Sequence, residues 1–223
     1  PQADLRVLAG AFTEGEAAFA VGEREFHYGG LPFARVEVEA IATTIPSTIT
    51  LIDEEFSPSA TIPILDDHTV VHLATHAEFV PGLPEESFIL FGNGDRVTLR
   101  DIATWSLPNV DLVVLSACRT AVGSELGNGE EILGFGYQIQ RTGARGAIAS
   151  LWSVDDGGTQ VLMNAFYAAM EQDMTSAESL RQAQIALITG DYAALGIEPD
   201  LQEFSSLNHP YYWSPVILIA NGL

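Results

Sequence analysis

Short apolar runs alternate with amphipathic helical patterns along most of the chain, and this alternation restricts the fold more than any other feature. The runs predicted to be strands are residues 5–9, 48–52, 69–75, 110–116, 146–151 and 215–220. Several of them carry apolar residues on both faces, as strands do when helices cover both sides of their sheet. We therefore predict an α/β fold with an open, mostly parallel sheet and helices on both faces.

The helical segments between these runs have recognisable ends. They are predicted over residues 32–44, from 57–58 onward, and over 98–104, 130–142, 155–170 and 177–189. Ser57 is an N-cap followed by proline, and Thr175 with Glu178 matches a capping box. Gly143 is placed to end the helix before it. Pro215 opens the last strand, which predicts an edge position because proline has no N–H for the ladder.

The composition excludes several classes of protein. Of the 223 residues, 47% are hydrophobic and 17% are charged, which is incompatible with intrinsic disorder. The 30 acidic residues outnumber nine basic ones, all arginine, and the net charge is −21. Nucleic acids and anionic membranes are therefore not expected partners, because both attract clustered cations. A basic peptide is compatible with this charge, although solubility or a salty habitat would explain it as well.

The single cysteine, Cys118, excludes an intrachain disulfide framework and a multi-cysteine zinc site. No apolar run approaches the ~20 residues that cross a bilayer, and the chain opens without a secretory signal. We therefore expect a cytoplasmic protein. Because there is no internal repeat or linker, residues 1–223 are expected to form one domain, and the missing initial methionine suggests a piece excised from a longer protein.

Two of the predicted strands end in side chains that could act together. His76 follows the run at 69–75 and Cys118 follows the run at 110–116, so parallel neighbouring strands would bring imidazole and thiol to one sheet edge. A thiol with an ordinary pKa of ~8.5 is mostly protonated at neutral pH, and an adjacent imidazole can accept its proton. From 76 to 118 is 42 residues, near the His-to-Cys spacing of about 50 in caspases.

Four motifs follow one another along the chain. They are Leu-Ala-Thr-His at 73–76, Val-Val-Leu-Ser-Ala-Cys at 113–118, Ala-Ser-Leu-Trp-Ser-Val-Asp-Asp at 149–156 and His-Pro-Tyr-Tyr-Trp at 209–213. In this order they resemble the CHAT domain family of caspase-like proteins, and the resemblance extends over residues 31–221. It implies a caspase-like sheet of six strands, the last antiparallel, and a cysteine peptidase related to separase. Such domains often follow tetratricopeptide repeats, so regulatory domains or partners outside this chain are expected.

The resemblance also implies roles for single residues. His76 would be the general base and Cys118 the nucleophile, and the backbone N–H groups of Ala77 and Cys118 would bind the oxyanion. The family commonly has Gly where this chain has Ala77, and Glu-Thr-Gly where it has Arg-Thr-Ala at 119–121. Neither change removes a catalytic side chain. No cofactor and no metal is expected.

Two acids at the end of the third motif are candidate substrate ligands. Their motif resembles the Leu-Trp-Asp-Val-Thr-Asp pattern of separase, in which the final Asp binds the arginine before the cut bond. The resemblance therefore implies that Asp156 binds a basic residue of a protein or peptide substrate, with Asp155 in its place if the register differs by one. The alternative is that both acids only cap the following helix.

Two other interpretations stay open. The same fold could be a catalytically silent module that binds a protein partner or regulates one through the same cleft. A metal-dependent hydrolase would need carboxylates near His72, which lies four residues before His76. Because residues 70–75 are predicted to be extended, whereas His-x-x-x-His ligands converge on a helix, we interpret His72 as a hydrogen-bonded core histidine.

Overall fold

A six-stranded sheet organises the part of the chain that the computed structural model describes, residues 5–116, 130–150, 156–197 and 207–220. The strands of the structure are β1 Val7–Ala11, β2 Glu16–Val21, β3 Arg24–Gly29, β4 Ile49–Ile52, β5 Val70–Ala74, β6 Ala77–Glu78, β7 Phe88–Leu90, β8 Arg96–Thr98, β9 Leu112–Ser116, β10 Gly146–Ser150 and β11 Val216–Ala220. The sheet order is β11-β10-β9-β5-β1-β4. All neighbours pair in parallel except β10 and β11, which are antiparallel.

This arrangement confirms the predicted α/β class, the mostly parallel six-stranded sheet and its antiparallel last strand. All six predicted strands are present, with described ends shifted by no more than two residues. The strand that opens with Pro215 lies at the edge of the sheet, as predicted. The predicted end of β10 at residue 151 lies outside the described residues.

The helices lie close to their predicted positions. They are α1 Pro32–Thr44, α2 Pro58–Thr61, α3 Leu99–Ile102, α4 Glu130–Arg141, α5 Asp156–Glu171, α6 Ser176–Thr189 and α7 Pro210–Trp213. The Ser57 side chain accepts a hydrogen bond from the Ala60 N–H, which makes it the predicted N-cap of α2. Thr175 accepts one from the Glu178 N–H at the start of α6. Gly143 has a positive φ of 105° just after α4, a conformation that suits a residue without a side chain.

Helices cover both faces of the sheet because its strands alternate between two cores. Val7 and Ala9 of β1 pack with α1, α5 and α6 in one buried cluster. Leu8 between them packs in a second cluster, which includes Ile102 of α3 and Ile139 of α4. Successive side chains of a strand point to opposite faces, so apolar residues at every position are what this layering requires.

A β-hairpin, β2–β3, was not predicted. It is joined by the two-residue loop Gly22–Glu23 and pairs Val21 with Arg24. An aromatic cluster of Phe19, Phe26, Tyr28 and Phe88 packs it against the small antiparallel sheet β6–β7–β8. The hairpin therefore lies beside the chain that leaves β5, where the candidate site was predicted.

The described residues contain no helix that is long and apolar enough to cross a membrane.

Candidate active site

The ends of β5 and β9 carry the two predicted catalytic positions. These neighbouring strands are parallel, and their last register pair is Ala74 opposite Ser116. The Thr75 N–H then donates to the Ser116 carbonyl at 3.2 Å, so the pairing continues past β5. In the sequence, His76 and Cys118 each come two residues after this register pair. Cys118 itself lies outside the described residues, so its side chain has no structural account here.

His76 is buried, with 6% of its surface exposed, and one of its ring nitrogens has a fixed partner. Its Nε2 lies 2.8 Å from the carbonyl oxygen of Gly29, the last residue of β3. A carbonyl oxygen only accepts hydrogen bonds, so Nε2 carries the proton that forms this bond. In the neutral imidazole, Nδ1 is consequently the basic nitrogen. The neutral side chain is therefore held in the tautomer that carries its proton on Nε2.

Two aromatic rings contact the His76 imidazole. The Tyr28 ring lies 4.7 Å away, centroid to centroid, at an interplanar angle of 32°. The Phe12 ring lies 6.0 Å away and meets the imidazole edge to face, at 75°. Both distances fall within the range of favourable aromatic pairs.

A buried carboxylate completes this environment. Glu78 lies on β6, two residues after His76, and is 6% exposed. Its Oε2 accepts a hydrogen bond from the Tyr28 hydroxyl at 3.1 Å, and its Oε1 lies 3.6 Å from Nη2 of Arg24. Sequence reasoning missed Tyr28, Gly29 and Glu78, because it did not predict the hairpin that carries the first two.

Ala77 begins β6 directly after His76, pairs with Ile89 and is buried. This places the Ala77 backbone next to the histidine along the chain. Its role as an oxyanion donor depends on Cys118 as well, and it stays a prediction.

Of the two candidate substrate ligands, Asp155 lies outside the described residues. Asp156 is the first residue of α5, and its side chain is not among those described. This helix follows β10, the neighbour of β9, so it begins on the side of the sheet where β5 and β9 end. Both assignments stay predictions, as does the alternative that the two acids only cap the helix.

The structure confirms His72 as a hydrogen-bonded core histidine. Its Nε2 lies 2.7 Å from Oε1 of Glu37, and its Nδ1 lies 3.1 Å from the hydroxyl of Tyr167. It is fully buried in the extended strand β5, so it does not share a helix face with His76. Across residues 5–116, 130–150, 156–197 and 207–220, no group of three or more His, Cys, Asp or Glu could hold a metal ion.

The sheet order, the antiparallel edge strand and the buried histidine after a central strand together define a caspase-like α/β protein. The chain belongs to the CHAT domain family, whose model matches residues 4–221. Among solved structures, its fold is similar to that of the Arg-specific cysteine proteinase gingipain R, with a TM-score of 0.57 and 10% sequence identity. The match covers 98% of this chain but 46% of that one, so this chain spans less than half of the proteinase. No curated protein matches the sequence.

Proposed function

We propose that this chain is a cysteine endopeptidase that uses a dyad of His76 and Cys118. The observation that carries the proposal is the register of β5 and β9, which pairs Ala74 with Ser116 two residues before each member of the dyad. Strands in parallel register leave the sheet at the same edge, where α/β proteins bind their ligands. The hydrogen bond at Nε2 of His76 supports the same proposal, because it leaves Nδ1 as the nitrogen that can accept a proton in the neutral ring.

The proposed reaction follows from these groups. His76 Nδ1 takes the proton of the Cys118 thiol, and the thiolate attacks the peptide carbonyl carbon. The backbone N–H groups of Ala77 and Cys118 stabilise the oxyanion that forms. The imidazolium then protonates the leaving amine, which departs as a thioester forms. Water, deprotonated by the same imidazole, hydrolyses the thioester and regenerates the thiol.

Replacing either member of the dyad tests this reaction. Cys118→Ala and His76→Ala should each abolish peptide cleavage in a peptide-library assay while leaving the thermal unfolding transition in place. The double variant should be barely worse than either single one, because groups that act as a unit are strongly non-additive. Substantial turnover by purified Cys118→Ala would overturn the proposal.

The rate of thiol alkylation separates this enzyme from a catalytically silent binding module. An activated Cys118 should react quickly with iodoacetamide at neutral pH, and His76→Ala should slow that reaction, since thiolate is the reactive form. A slow reaction that does not change in His76→Ala would favour the silent module. This experiment needs no substrate and therefore works before one is known.

We further propose that the enzyme cuts after arginine and also accepts lysine, with Asp156 as the ligand of the basic side chain. A carboxylate and a guanidinium pair in a bidentate geometry. A partly desolvated pair of this kind gives a selectivity for the basic side chain of about a hundredfold. Asp155 takes this role if the register differs by one. The Arg-specific proteinase of similar fold is an example of such a preference on this architecture.

Matched fluorogenic peptides that end in Arg, Lys, Asp or Leu test the preference. The parent should cleave after Arg and Lys, and Asp156→Asn should lose most of that selectivity. Asp173→Asn is the control, because Asp173 is exposed and lies just beyond the opposite end of α5. Preference for Asp-ending peptides, or Arg selectivity unchanged in both Asp156→Asn and Asp155→Asn, would show that the pocket is wrongly assigned.

A further inference from the structure

The contacts around His76 extend to two residues that have no part in the proposed reaction. We propose that Tyr28, held in place by Glu78, is a positioning residue that fixes the plane of the His76 imidazole for proton transfer. The inference rests on the proposed function, since it concerns the same histidine. It adds that catalysis by the dyad depends on a residue outside it, Tyr28.

The hydrogen bond from Nε2 to the Gly29 carbonyl holds one atom of the His76 ring, and rotation of the ring about that contact is a motion that neighbouring rings can limit. The Tyr28 ring, tilted by 32° and 4.7 Å away, and the Phe12 ring, edge-on at 6.0 Å, restrict this rotation. The direction of the Nδ1 lone pair therefore depends on where the Tyr28 ring lies.

The polar end of Tyr28 determines where its ring lies. The hydroxyl donates to the Glu78 carboxylate, which is itself buried and faces Arg24 at 3.6 Å. Burying a carboxylate is unfavourable unless hydrogen bonds and an opposite charge compensate for it. A phenylalanine at position 28 would pack in the same aromatic cluster without that requirement. Packing alone therefore does not require the carboxylate of Glu78, the phenol of Tyr28 and the guanidinium of Arg24.

Chain connectivity joins this network to the other support of His76. Tyr28 and Gly29 are adjacent on β3, so one strand supplies both the ring and the carbonyl that contact the imidazole. Glu78 follows His76 by two residues on β6. The hairpin and the chain leaving β5 are therefore joined at the histidine and again two residues after it, and a shift of the hairpin would change both contacts together.

The same arrangement suits the charge that appears during the reaction. When His76 accepts the thiol proton, an imidazolium forms against the face of the Tyr28 ring, where cation–π attraction is favourable. The Glu78 carboxylate lies beyond the phenol and adds attraction of the same sign. Tyr28 therefore stabilises the protonated intermediate as well as the orientation of the ring.

The experiment uses four variants and a packing control. Tyr28→Leu removes the ring, Tyr28→Phe and Glu78→Gln keep the packing, and His76→Ala is the reference for loss of the base. Phe26→Leu is the control, because Phe26 stacks on Tyr28 in the same hairpin and has no ring contact with His76 among the described residues. The measurements are kcat and KM, the rate of Cys118 alkylation by iodoacetamide as a function of pH, and thermal unfolding.

Tyr28→Leu should lower kcat by about tenfold or more with little change in KM, since small misplacements of reacting groups cost this much. It should also slow alkylation at neutral pH. Tyr28→Phe and Glu78→Gln should show smaller losses of the same kind and carry the test if Tyr28→Leu does not fold. Phe26→Leu should lower the melting temperature yet keep the parent's kcat and alkylation rate.

These variants distinguish failure of the positioning proposal from failure of the dyad. If His76→Ala slows alkylation but Tyr28→Leu, Tyr28→Phe and Glu78→Gln do not, the positioning proposal is wrong and the dyad stands. If Phe26→Leu lowers kcat and the alkylation rate as much as Tyr28→Leu does, Tyr28 acts only through packing and the positioning proposal is also wrong. If even His76→Ala leaves alkylation unchanged, the dyad fails and the positioning proposal fails with it.

Discussion

His72 and Glu37 meet at 2.7 Å between β5 and α1, and both side chains are closed off from solvent. The other ring nitrogen of His72 lies 3.1 Å from the Tyr167 hydroxyl on α5. One imidazole thus joins the central strand to α1 and α5, two of the helices that cover this face of the sheet. Buried polar groups of this kind cost stability unless every member is satisfied, so each partner depends on the others.

Removing Glu37 should therefore destabilise the fold strongly. Glu37→Ala removes the buried carboxylate that lies 2.7 Å from Nε2 of His72, and the free energy of unfolding should fall by about 3 kcal/mol or more. The control is Glu39→Ala on the same helix, whose carboxylate is 61% exposed and 3.9 Å from Arg35. That change should cost less than about 1 kcal/mol. Urea denaturation measures both, and equal losses would contradict the role of the network.

Because the Tyr167 hydroxyl is buried, we expect the free energy of unfolding to depend on pH in the alkaline range. Burial, with the Glu37 charge as a smaller cause, raises the pKa of Tyr167 well above its ordinary value of 10.0. In the unfolded chain the phenol ionises near 10, so above that pH unfolding releases its proton and the free energy of unfolding falls as pH rises. Below pH 10 both the folded and the unfolded state keep the proton, so the contribution of Tyr167 to stability is fully present. Above pH 10 the free energy of unfolding falls by about 1.4 kcal/mol per pH unit.

Urea denaturation at pH 9, 10 and 11 measures this slope. Tyr167→Phe should be less stable at neutral pH, because the hydrogen bond to His72 is lost, but its stability should fall less steeply above pH 10. Tyr137→Phe is the control, since that ring is 61% exposed. The absence of lysine simplifies the comparison. A slope unchanged in Tyr167→Phe would mean that the phenol titrates alike in both states.

The sheet could be predicted from the sequence because each strand is a short apolar run bounded by turn residues. The helix α1 was predicted with its observed ends, 32–44, from an apolar period near 3.6 residues. The hairpin β2–β3 was missed because the Ala-rich segment 16–21 has little strand propensity. The available signal was Gly22, which has a φ of 59° at the first position of a two-residue hairpin loop.

The contacts of the site were harder to predict for a different reason. His76 is supported by the backbone carbonyl of Gly29. Because every residue has a backbone carbonyl, the sequence does not show which one accepts this hydrogen bond. Glu37 lies on the buried side of α1 with Val38 and Ile41, and it was not singled out from the sequence. Its partner His72 lies 35 residues further along the chain, and the Tyr167 hydroxyl that contacts His72 lies another 95 residues on. One sequence without spatial information cannot group these three residues.

If the proposed peptidase activity is present, we expect the chain to be active without being cut. Many caspase-like enzymes mature by cleavage between the nucleophile strand and the next strand. In this chain the segment 119–129 offers a single basic residue, Arg119, directly after the proposed nucleophile Cys118. Cleavage there would separate Cys118 from the chain that follows it, so we expect control by domains or partners outside this chain instead.

Intact-mass spectrometry alongside the peptide assay tests this expectation. The active preparation should keep its full mass, and Arg119→Gln should be as free of cuts as the parent. Activity that appears only after a cut within 119–145 would contradict it.

The net charge of −21 should steer basic peptides to the site in a salt-dependent way. Glu54 and Glu55 are exposed and follow β4, which runs parallel to β5 with β1 between them, so they lie at the same end of the sheet as His76. Fields from clustered acids raise the encounter rate of cationic ligands, and salt screens them over about 10 Å at 0.1 M. Added salt should therefore lower kcat/KM for an Arg-containing basic peptide and leave kcat nearly unchanged.

Two double variants with the same change in net charge separate local steering from the effect of overall charge. Glu54→Gln with Glu55→Gln should weaken the salt dependence and lower kcat/KM at low salt by about twofold or more. Glu171→Gln with Asp173→Asn removes two exposed acids at the far end of α5 and should have the smaller effect. Equal effects would assign the steering to total charge. A kcat/KM that does not respond to salt in the parent would exclude steering altogether, because screening of exposed charges is unavoidable.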